Sequence, residues 1–166
     1  MGMINDPAGS IVQAARRAGG RGETAMQQAA PPIGHILETS LYVADLPRAQ
    51  GFYERLFGFP VSFADSRLCA FAVPGAGVLL LFRAGEFEAP SPTQGGIIPA
   101  HHGQGHLHLC FAIAAADLPA WEARLAALAI PVESRVRWPR GSTSLYFRDP
   151  DHHLVELATP GLWPNY

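Results

Sequence analysis

The chain of 166 residues is poor in cysteine and in charged side chains. Its two cysteines, Cys69 and Cys110, both lie in apolar segments, so we expect buried free thiols rather than a disulfide or a zinc pair. Twelve basic and fourteen acidic side chains give a net charge of −2. Because no basic stripe is present either, the charge pattern gives no reason to expect binding to nucleic acid or to an anionic membrane surface.

Long apolar runs are also missing from the sequence. No segment approaches the ~20 apolar residues of a membrane span, and the N-terminus has no apolar core of a secretory signal. The sequence therefore predicts a cytoplasmic protein. Apolar residues still make up 48% of the chain, enough to build a core for one compact domain or for two small modules.

Residues 1–33 differ in composition from the rest of the chain. Gly, Ala, Gln and Arg dominate and no apolar period persists, which favours a flexible N-terminal extension. Residues 11–17 could form a short helix within it. A transit peptide is the sharper interpretation, but acidic residues are present and serine is scarce.

The remainder of the chain contains one pattern twice, some 70 residues apart. The first copy, residues 34–85, predicts strands at 36–43, 60–64, 68–73 and 78–83 and a helix at 46–57, with Asp45 as N-cap and Gly58 as its stop. The second copy, residues 106–160, predicts strands at 106–113, 132–136, 144–148 and 153–158 and a helix at 118–128. Residues 86–105 predict a surface loop, and residues 161–166 a tail whose Trp163 and Tyr166 pack onto the body.

The repeat predicts an α+β fold of two tandem βαβββ modules. A four-stranded sheet with one helix cannot cover both of its faces. Two such modules side by side can instead form a curved mixed sheet around a central cavity, which is the natural place for a ligand.

The chain resembles the vicinal oxygen chelate superfamily, the glyoxalase, bleomycin resistance protein and dioxygenase-like proteins. The matching residues are 42–46, 52–53 and 56–58 in the first module and 108–111, 146–151 and 154–157 in the second. The resemblance spans residues 34–160. It is specific for the fold and much less so for the reaction, because this superfamily catalyses many reactions on one scaffold.

The resemblance implies a metal site with one ligand on the first strand and one on the last strand of each module. These positions are Glu38, His108 and Glu156, and the fourth is Leu80, which cannot bind a metal. Many relatives carry His or Gln where Glu38 stands. The resemblance therefore implies three ligands and one divalent ion, with Mn²⁺, Ni²⁺, Fe²⁺, Zn²⁺ and Mg²⁺ all open.

The alternation of side chains along the strands agrees with this set. Glu38 shares a strand face with Ser40 and Tyr42, and Glu156 lies in an otherwise apolar strand, where a carboxylate needs a partner. If Glu38 and Glu156 converge within ~5 Å, their repulsion is on the order of 3–4 kcal/mol at an effective dielectric of 20. A divalent ion or a proton would have to relieve it.

Several other residues are candidates for substrate binding. Ser40, Tyr42, His106 and Cys110 are expected to line the cavity. Arg137 and Arg140 could hold a carboxylate or phosphate, and a plain exposed hairpin is the alternative interpretation. The loop at residues 101–105 is either a lid or a solvated loop. We expect the turn residues His152 and His153 to be solvent-exposed.

These observations predict a metal-dependent enzyme, a glyoxalase-like lyase or isomerase acting on a small oxygenated substrate. The metal would act as a Lewis acid and Glu156 or Glu38 as the general base. Two alternatives stay open: a metal-free binding protein of the bleomycin-resistance type and an Fe(II) extradiol-type dioxygenase. The resemblance also implies a homodimer.

Overall fold

The structure is a computed structural model that describes residues 29–166. Residues 1–28, with the short helix predicted at 11–17 and the transit peptide, lie outside the described part. Between residues 29 and 166, no helix is long and apolar enough to cross a membrane.

The first module follows the predicted order of elements. Its strand β1 (Glu38–Val43) and helix α1 (Leu46–Phe57) are followed by β2 (Val61–Ala64), β3 (Leu68–Val73) and β4 (Gly77–Arg83). The strands form one mixed sheet in the order β1-β4-β3-β2, with β1 parallel to β4 and the other pairs antiparallel. We call this sheet A.

The linker between the modules contains a short hairpin that the sequence did not predict. Strands β5 (Ser91–Thr93) and β6 (Gly96–Ile98) pair antiparallel and form the small sheet B. The Thr93 hydroxyl donates to the Gly96 carbonyl at 2.8 Å and accepts from the Gly95 amide at 3.2 Å. The turn is thus stabilised by one side chain, and three-residue strands carry too little alternation to be recognised.

The second module repeats the first. Strand β7 (His108–Ala112) leads through a short 3₁₀ turn (Ala115–Asp117) into helix α2 (Leu118–Ala127). Strands β8 (Ser134–Arg137), β9 (Thr143–Arg148) and β10 (Leu154–Ala158) complete sheet C, in the order β7-β10-β9-β8. The prediction of two tandem βαβββ modules with mixed sheets is confirmed.

The repeat extends to single hydrogen bonds and turn conformations. The Val78 amide donates to the Leu37 carbonyl at 2.9 Å, as the Leu154 amide donates to the Leu107 carbonyl at 2.8 Å. The turns before β4 and β10 each contain a non-glycine residue with positive φ, Ala76 at 69° and His152 at 64°. Val78 therefore corresponds to Leu154, and Ala76 to His152, in the repeat.

Local signals in the sequence explain why α1 begins and ends where predicted. The Asp45 carboxylate accepts from the Arg48 amide at 3.0 Å, and Gly58 adopts φ 68° while its amide donates to the Glu54 carbonyl at 2.9 Å. Both are standard helix ends. The helix buries one apolar face, made of Leu46, Ala49, Phe52, Tyr53 and Leu56.

One core lies between the helices and one face of each sheet. Sheet A contributes Leu41, Val43, Leu79 and Leu81, and sheet C contributes Leu145, Phe147, Val155 and Leu157. Strand alternation places the polar candidates on the opposite faces. We call these the open face of sheet A and the open face of sheet C.

The C-terminal tail is held by its last residue. The Tyr166 hydroxyl lies 3.0 Å from the Ile113 carbonyl and 3.1 Å from the Ala158 carbonyl, at the ends of β7 and β10. Trp163 is 63% exposed, so the prediction that it packs onto the body is wrong. The tail turns back at Gly161, and its single aromatic anchor is Tyr166.

Candidate metal centre

His108 and Glu156 meet on the open face of sheet C. The two atoms His108 Nε2 and Glu156 Oε2 are 3.2 Å apart. The Glu156 side chain is 5% exposed, whereas that of His108 is 50% exposed. The carboxylate is thus nearly buried beside a half-exposed imidazole, and such a carboxylate needs compensating partners.

Tyr146 supplies the second partner of Glu156. It stands opposite Glu156 on β9, and its hydroxyl donates to Glu156 Oε1 at 2.9 Å. Burial, followed by the hydrogen bond to Glu156 and its charge, raises the pKa of Tyr146 to about 12. The phenol therefore stays protonated at neutral pH and holds the carboxylate in one orientation.

Cys110 lies beside Glu156 in the register of β7 and β10. The residue is exposed, so the prediction of a buried thiol is wrong here, while Cys69 is buried as predicted. Apolar periodicity could not separate the two, because it does not show which part of the open face of sheet C other residues cover. Desolvation of the thiol, and then the charge of Glu156 and a hydrogen bond with it, raise the pKa of Cys110 to about 12.

Glu38 does not join this pair within one chain. It is exposed at the start of β1, opposite Val78 of β4. Across residues 29–166, no group of three or more His, Cys, Asp or Glu side chains is spaced to hold a metal ion. The three-ligand set implied by the resemblance is therefore represented in a single chain by His108 and Glu156 alone.

The other candidates on sheet A are engaged with neighbouring residues. Ser40 is half-buried opposite Leu80. The Tyr42 hydroxyl lies 2.6 Å from His101 Nδ1 of the linker, and the His101 ring stacks on Phe87 with centroids 4.9 Å apart. The linker thus covers the Tyr42 end of the open face of sheet A.

The remaining candidates lie on the rim or serve the backbone. His106 is exposed before β7, with its ring 5.7 Å from that of His152. Arg137 is exposed at the end of β8. The Arg140 guanidinium donates to the carbonyls of Gly161 and Leu162 at 3.2 and 2.8 Å. Roles for these three residues in substrate binding stay predictions.

Sequence reasoning missed His153. We expected it to be exposed in a turn, but it is 2% exposed. It contacts the backbone of both modules, at Leu107 and at Tyr42. No signal in the sequence identifies this role, because the two backbone groups come together only in the folded chain.

Clefts mark the junction of the two modules. One of ≈170 Å³ is lined by Glu38, Gly77 and Leu37 from the first module and by Leu109, Cys110 and Phe111 from the second, among others. Another of ≈260 Å³ is mainly apolar, with Phe57, Phe59, Phe111 and Trp121 in its walls. The edge strands β1 and β7 therefore approach each other without closing the junction.

The donor set at His108 and Glu156 fits a divalent ion. An imidazole nitrogen and a carboxylate oxygen already converge at 3.2 Å, and both are ordinary ligands of Mn²⁺, Fe²⁺, Ni²⁺ or Zn²⁺. Tyr146 holds the second carboxylate oxygen. In metal sites, a carboxylate ligand is commonly oriented in this way by a hydrogen bond to its second oxygen.

The fold and this pair define a two-module βαβββ protein with a polar centre on one sheet. Residues 33–157 match the model of the Glyoxalase/Bleomycin resistance protein/Dioxygenase superfamily. The chain belongs to that superfamily.

Curated and solved relatives agree with this assignment. The metallothiol transferase FosB of Bacillus licheniformis is 30% identical over 128 residues, which cover 76% of this chain and 74% of that protein. The crystal structure of lactoylglutathione lyase from Agrobacterium tumefaciens is 38% identical, with a TM-score of 0.74 over 81% of this chain and 99% of that one. The fosfomycin resistance protein FosX of Mesorhizobium loti is 25% identical, with a TM-score of 0.53 over 81% and 96% of the two chains.

Proposed function

We propose that the protein is a metal-dependent enzyme, a glyoxalase-like lyase or isomerase that acts on a small oxygenated substrate. The observation that carries the proposal is the pair His108 and Glu156, an imidazole and a nearly buried carboxylate 3.2 Å apart on an open sheet face. The names of two relatives, a metallothiol transferase and a lactoylglutathione lyase, support a catalytic role and, for the first, a metal.

The ion would be held by Glu38, His108 and Glu156. A bound divalent ion acts as a Lewis acid that polarises the substrate oxygens it binds. Tyr146 keeps Glu156 in one orientation through its hydroxyl. Glu156 or Glu38 would accept the substrate proton as general base, since a carboxylate placed beside the reacting carbon can move a proton without further rearrangement.

The site would be shared between two copies of the chain. His108 and Glu156 come from the second module, and Glu38 is exposed on the first. A two-fold dimer that places the first module of one copy against the second module of the other makes two identical sites. It would also cover open faces and edge strands that a single chain leaves unpaired.

Metal analysis tests the ligand set. We expect about one divalent ion per chain in the wild type. We expect strongly reduced metal content in Glu38→Gln, His108→Ala and Glu156→Gln, because each substitution removes one of three ligands. Elemental analysis after purification without chelators or metal resins measures it, with Glu133→Gln as a carboxylate control, since Glu133 is exposed and pairs with Arg148. Unchanged metal content in all three variants would reject the site.

Mixing two variants that bind metal poorly tests whether two copies of the chain share each site. In a dimer of one Glu38→Gln chain and one His108→Ala chain, one site has lost both residues and the other is intact. We therefore expect the mixture to regain up to one ion per mixed dimer after unfolding and refolding together.

A protein that is monomeric by light scattering at micromolar concentration would reject the dimer. A wild type that binds no ion, but binds small ligands, would favour the metal-free binding alternative.

Activity then distinguishes the enzyme from a binding protein. The relative named lactoylglutathione lyase suggests the first assay, formation of lactoylglutathione followed by absorbance. Turnover that requires added Mn²⁺ or Ni²⁺ and is lost in Glu156→Gln is the expected result. Full activity in the presence of excess chelator would contradict metal dependence.

A further inference from the structure

The buried imidazole of His153 has a defined tautomer. Its Nδ1 lies 3.0 Å from the Leu107 amide, and its Nε2 lies 2.9 Å from the Tyr42 carbonyl oxygen. A peptide N–H can only donate and a carbonyl can only accept. Nδ1 is therefore the acceptor, and Nε2 carries the hydrogen that is donated to Tyr42.

These two hydrogen bonds hold the strands of the proposed metal site. Leu107 directly precedes His108, and its carbonyl also accepts from the Leu154 amide at 2.8 Å. Both backbone polar groups of Leu107 are thus bonded to residues 153 and 154, at the start of β10, the strand that carries Glu156. Tyr42 lies near the end of β1, the strand that begins with Glu38.

The turn that carries His153 is itself supported by the first module. Asp149 Oδ1 accepts from the amides of His153 and Asp151 at 2.8 and 3.0 Å, and its Oδ2 accepts from the Tyr53 hydroxyl at 3.0 Å. Tyr53 is fully buried in α1. The imidazole is therefore placed by a rigid helix rather than by a loop alone.

The repeat supplies an internal comparison without this imidazole. Gly77 stands in the first module where His153 stands in the second, directly before the equivalent amides of Val78 and Leu154. At the Gly77 end the junction contains the cleft of ≈170 Å³ lined by Leu37, Gly77 and Phe111. At the His153 end the imidazole bonds to both modules. The hydrogen bonds of His153 therefore join the two modules near His108.

We infer that His153 is a positioning residue for the metal site of the proposed function: it ties the start of β7 to the start of β10 and both to β1, so that His108 and Glu156 keep one geometry. The inference rests on that proposed function. A residue that orients a metal ligand typically changes metal affinity 10–100-fold when it is lost. His153→Leu, which keeps most of the volume and removes both hydrogen bonds, should therefore weaken Mn²⁺ binding at least tenfold.

Mn²⁺ titration of the full chain, followed by electron paramagnetic resonance, measures this effect. His153→Asn retains an amide donor and a carbonyl acceptor, and we expect it to recover most of the affinity that His153→Leu loses. His152→Gly is the matched control, because His152 is exposed at φ 64° and glycine accepts that conformation. A folded His153→Leu variant with wild-type Mn²⁺ affinity would overturn the inference, as would equal losses in His152→Gly.

A second measurement keeps the inference testable if His153→Leu fails to fold. Imidazole ¹⁵N spectra of the wild type should assign His153 to the Nε2–H tautomer, and the Leu107 amide should exchange slowly with solvent. The Nδ1–H tautomer would overturn the inference. If the wild type binds no Mn²⁺, the proposed function fails, and the same spectrum still decides whether His153 ties the strands.

Discussion

Tyr42 is predicted from the sequence to line the substrate cavity, but in the folded chain its side chain is already in contact with the linker. Alternation placed it on the open face with Glu38 and Ser40, and it is half-buried there. The linker then crosses its ring: an added Cβ at Gly103 would lie 2.5 Å from Tyr42 Cδ2. The ring therefore has a fixed neighbour on one side and His101 at its hydroxyl.

Gly103→Ala should accordingly destabilise the chain. The Tyr42 ring is held by His101 and cannot retreat freely, so we expect a loss of about 1–3 kcal/mol, as is typical for overpacking. Urea unfolding followed by circular dichroism measures it. Gly95→Ala is the control, because nothing lies within 4 Å of its added Cβ. Equal stability of the two variants would show that the linker does not pack against Tyr42.

The residues that sequence reasoning placed wrongly share one physical cause. His153 and Cys110 were assigned by their neighbours along the chain, but their burial depends on groups distant in sequence. Leu107 and Tyr42 surround His153, whereas the open face leaves Cys110 exposed. Local pattern specifies which face a side chain lies on. It does not specify what covers that face.

At the scale of elements, the sequence predicted most closely the helices and strands whose first and last residues are specified by neighbouring residues in the chain. Helix α1 matches at both ends, because Asp45 and Gly58 supply its caps. Helix α2 ends at Ala127, one residue before the predicted end, and its first turn has no side-chain cap. The hairpin in the linker was missed since two strands of three residues show no usable period.

Helix α2 also completes the end of helix α1 from the other module. The Arg124 guanidinium donates to the carbonyls of Arg55 and Leu56 at 2.6 and 2.5 Å. These carbonyls belong to the last turn of α1, where unpaired acceptors and the helix dipole favour a cation. Arg124 therefore links the two helices, as does the contact between the rings of Phe57 and Trp121, whose centroids are 5.6 Å apart.

Arg124→Met should weaken the fold by about 1 kcal/mol, since it removes two charge-assisted hydrogen bonds while water can reach part of the helix end. Thermal unfolding at two salt concentrations measures the change. Arg135→Met is the matched control: Arg135 pairs with Glu122 at 2.8 Å, with the two side chains 38% and 40% exposed, and such surface pairs contribute little. A larger loss in the control would contradict the capping role.

At the scale of the whole molecule, the sequence predicted the internal repeat but not how the two modules pack against each other. Alternation and helix period predicted two βαβββ units, and both sheets have the predicted strand sets. The resemblance implied a ligand from each module, yet Glu38 stands apart from His108 and Glu156 within the described chain. The pattern of apolar and polar residues specifies how strands pair within a module. Packing between the modules depends instead on the shapes of the two surfaces that meet.

Deleting residues 1–25 should leave the melting temperature and metal content unchanged, because the family match begins at residue 33 and nothing upstream has a counterpart in the second copy. Thermal melts, metal analysis and light scattering of the full and shortened chains measure it. If the predicted helix at residues 11–17 packs on the body or between copies, the shortened chain will instead melt several degrees lower or lose its dimer.

The thiols have a consequence for the reactivity of the metal-free chain. With the pKa of Cys110 raised to about 12, its thiolate fraction at neutral pH is on the order of one in 10⁵, and the thiolate is the form that reacts. Burial raises the pKa of Cys69 to about 11. Both thiols should therefore react slowly with disulfides and electrophiles at neutral pH.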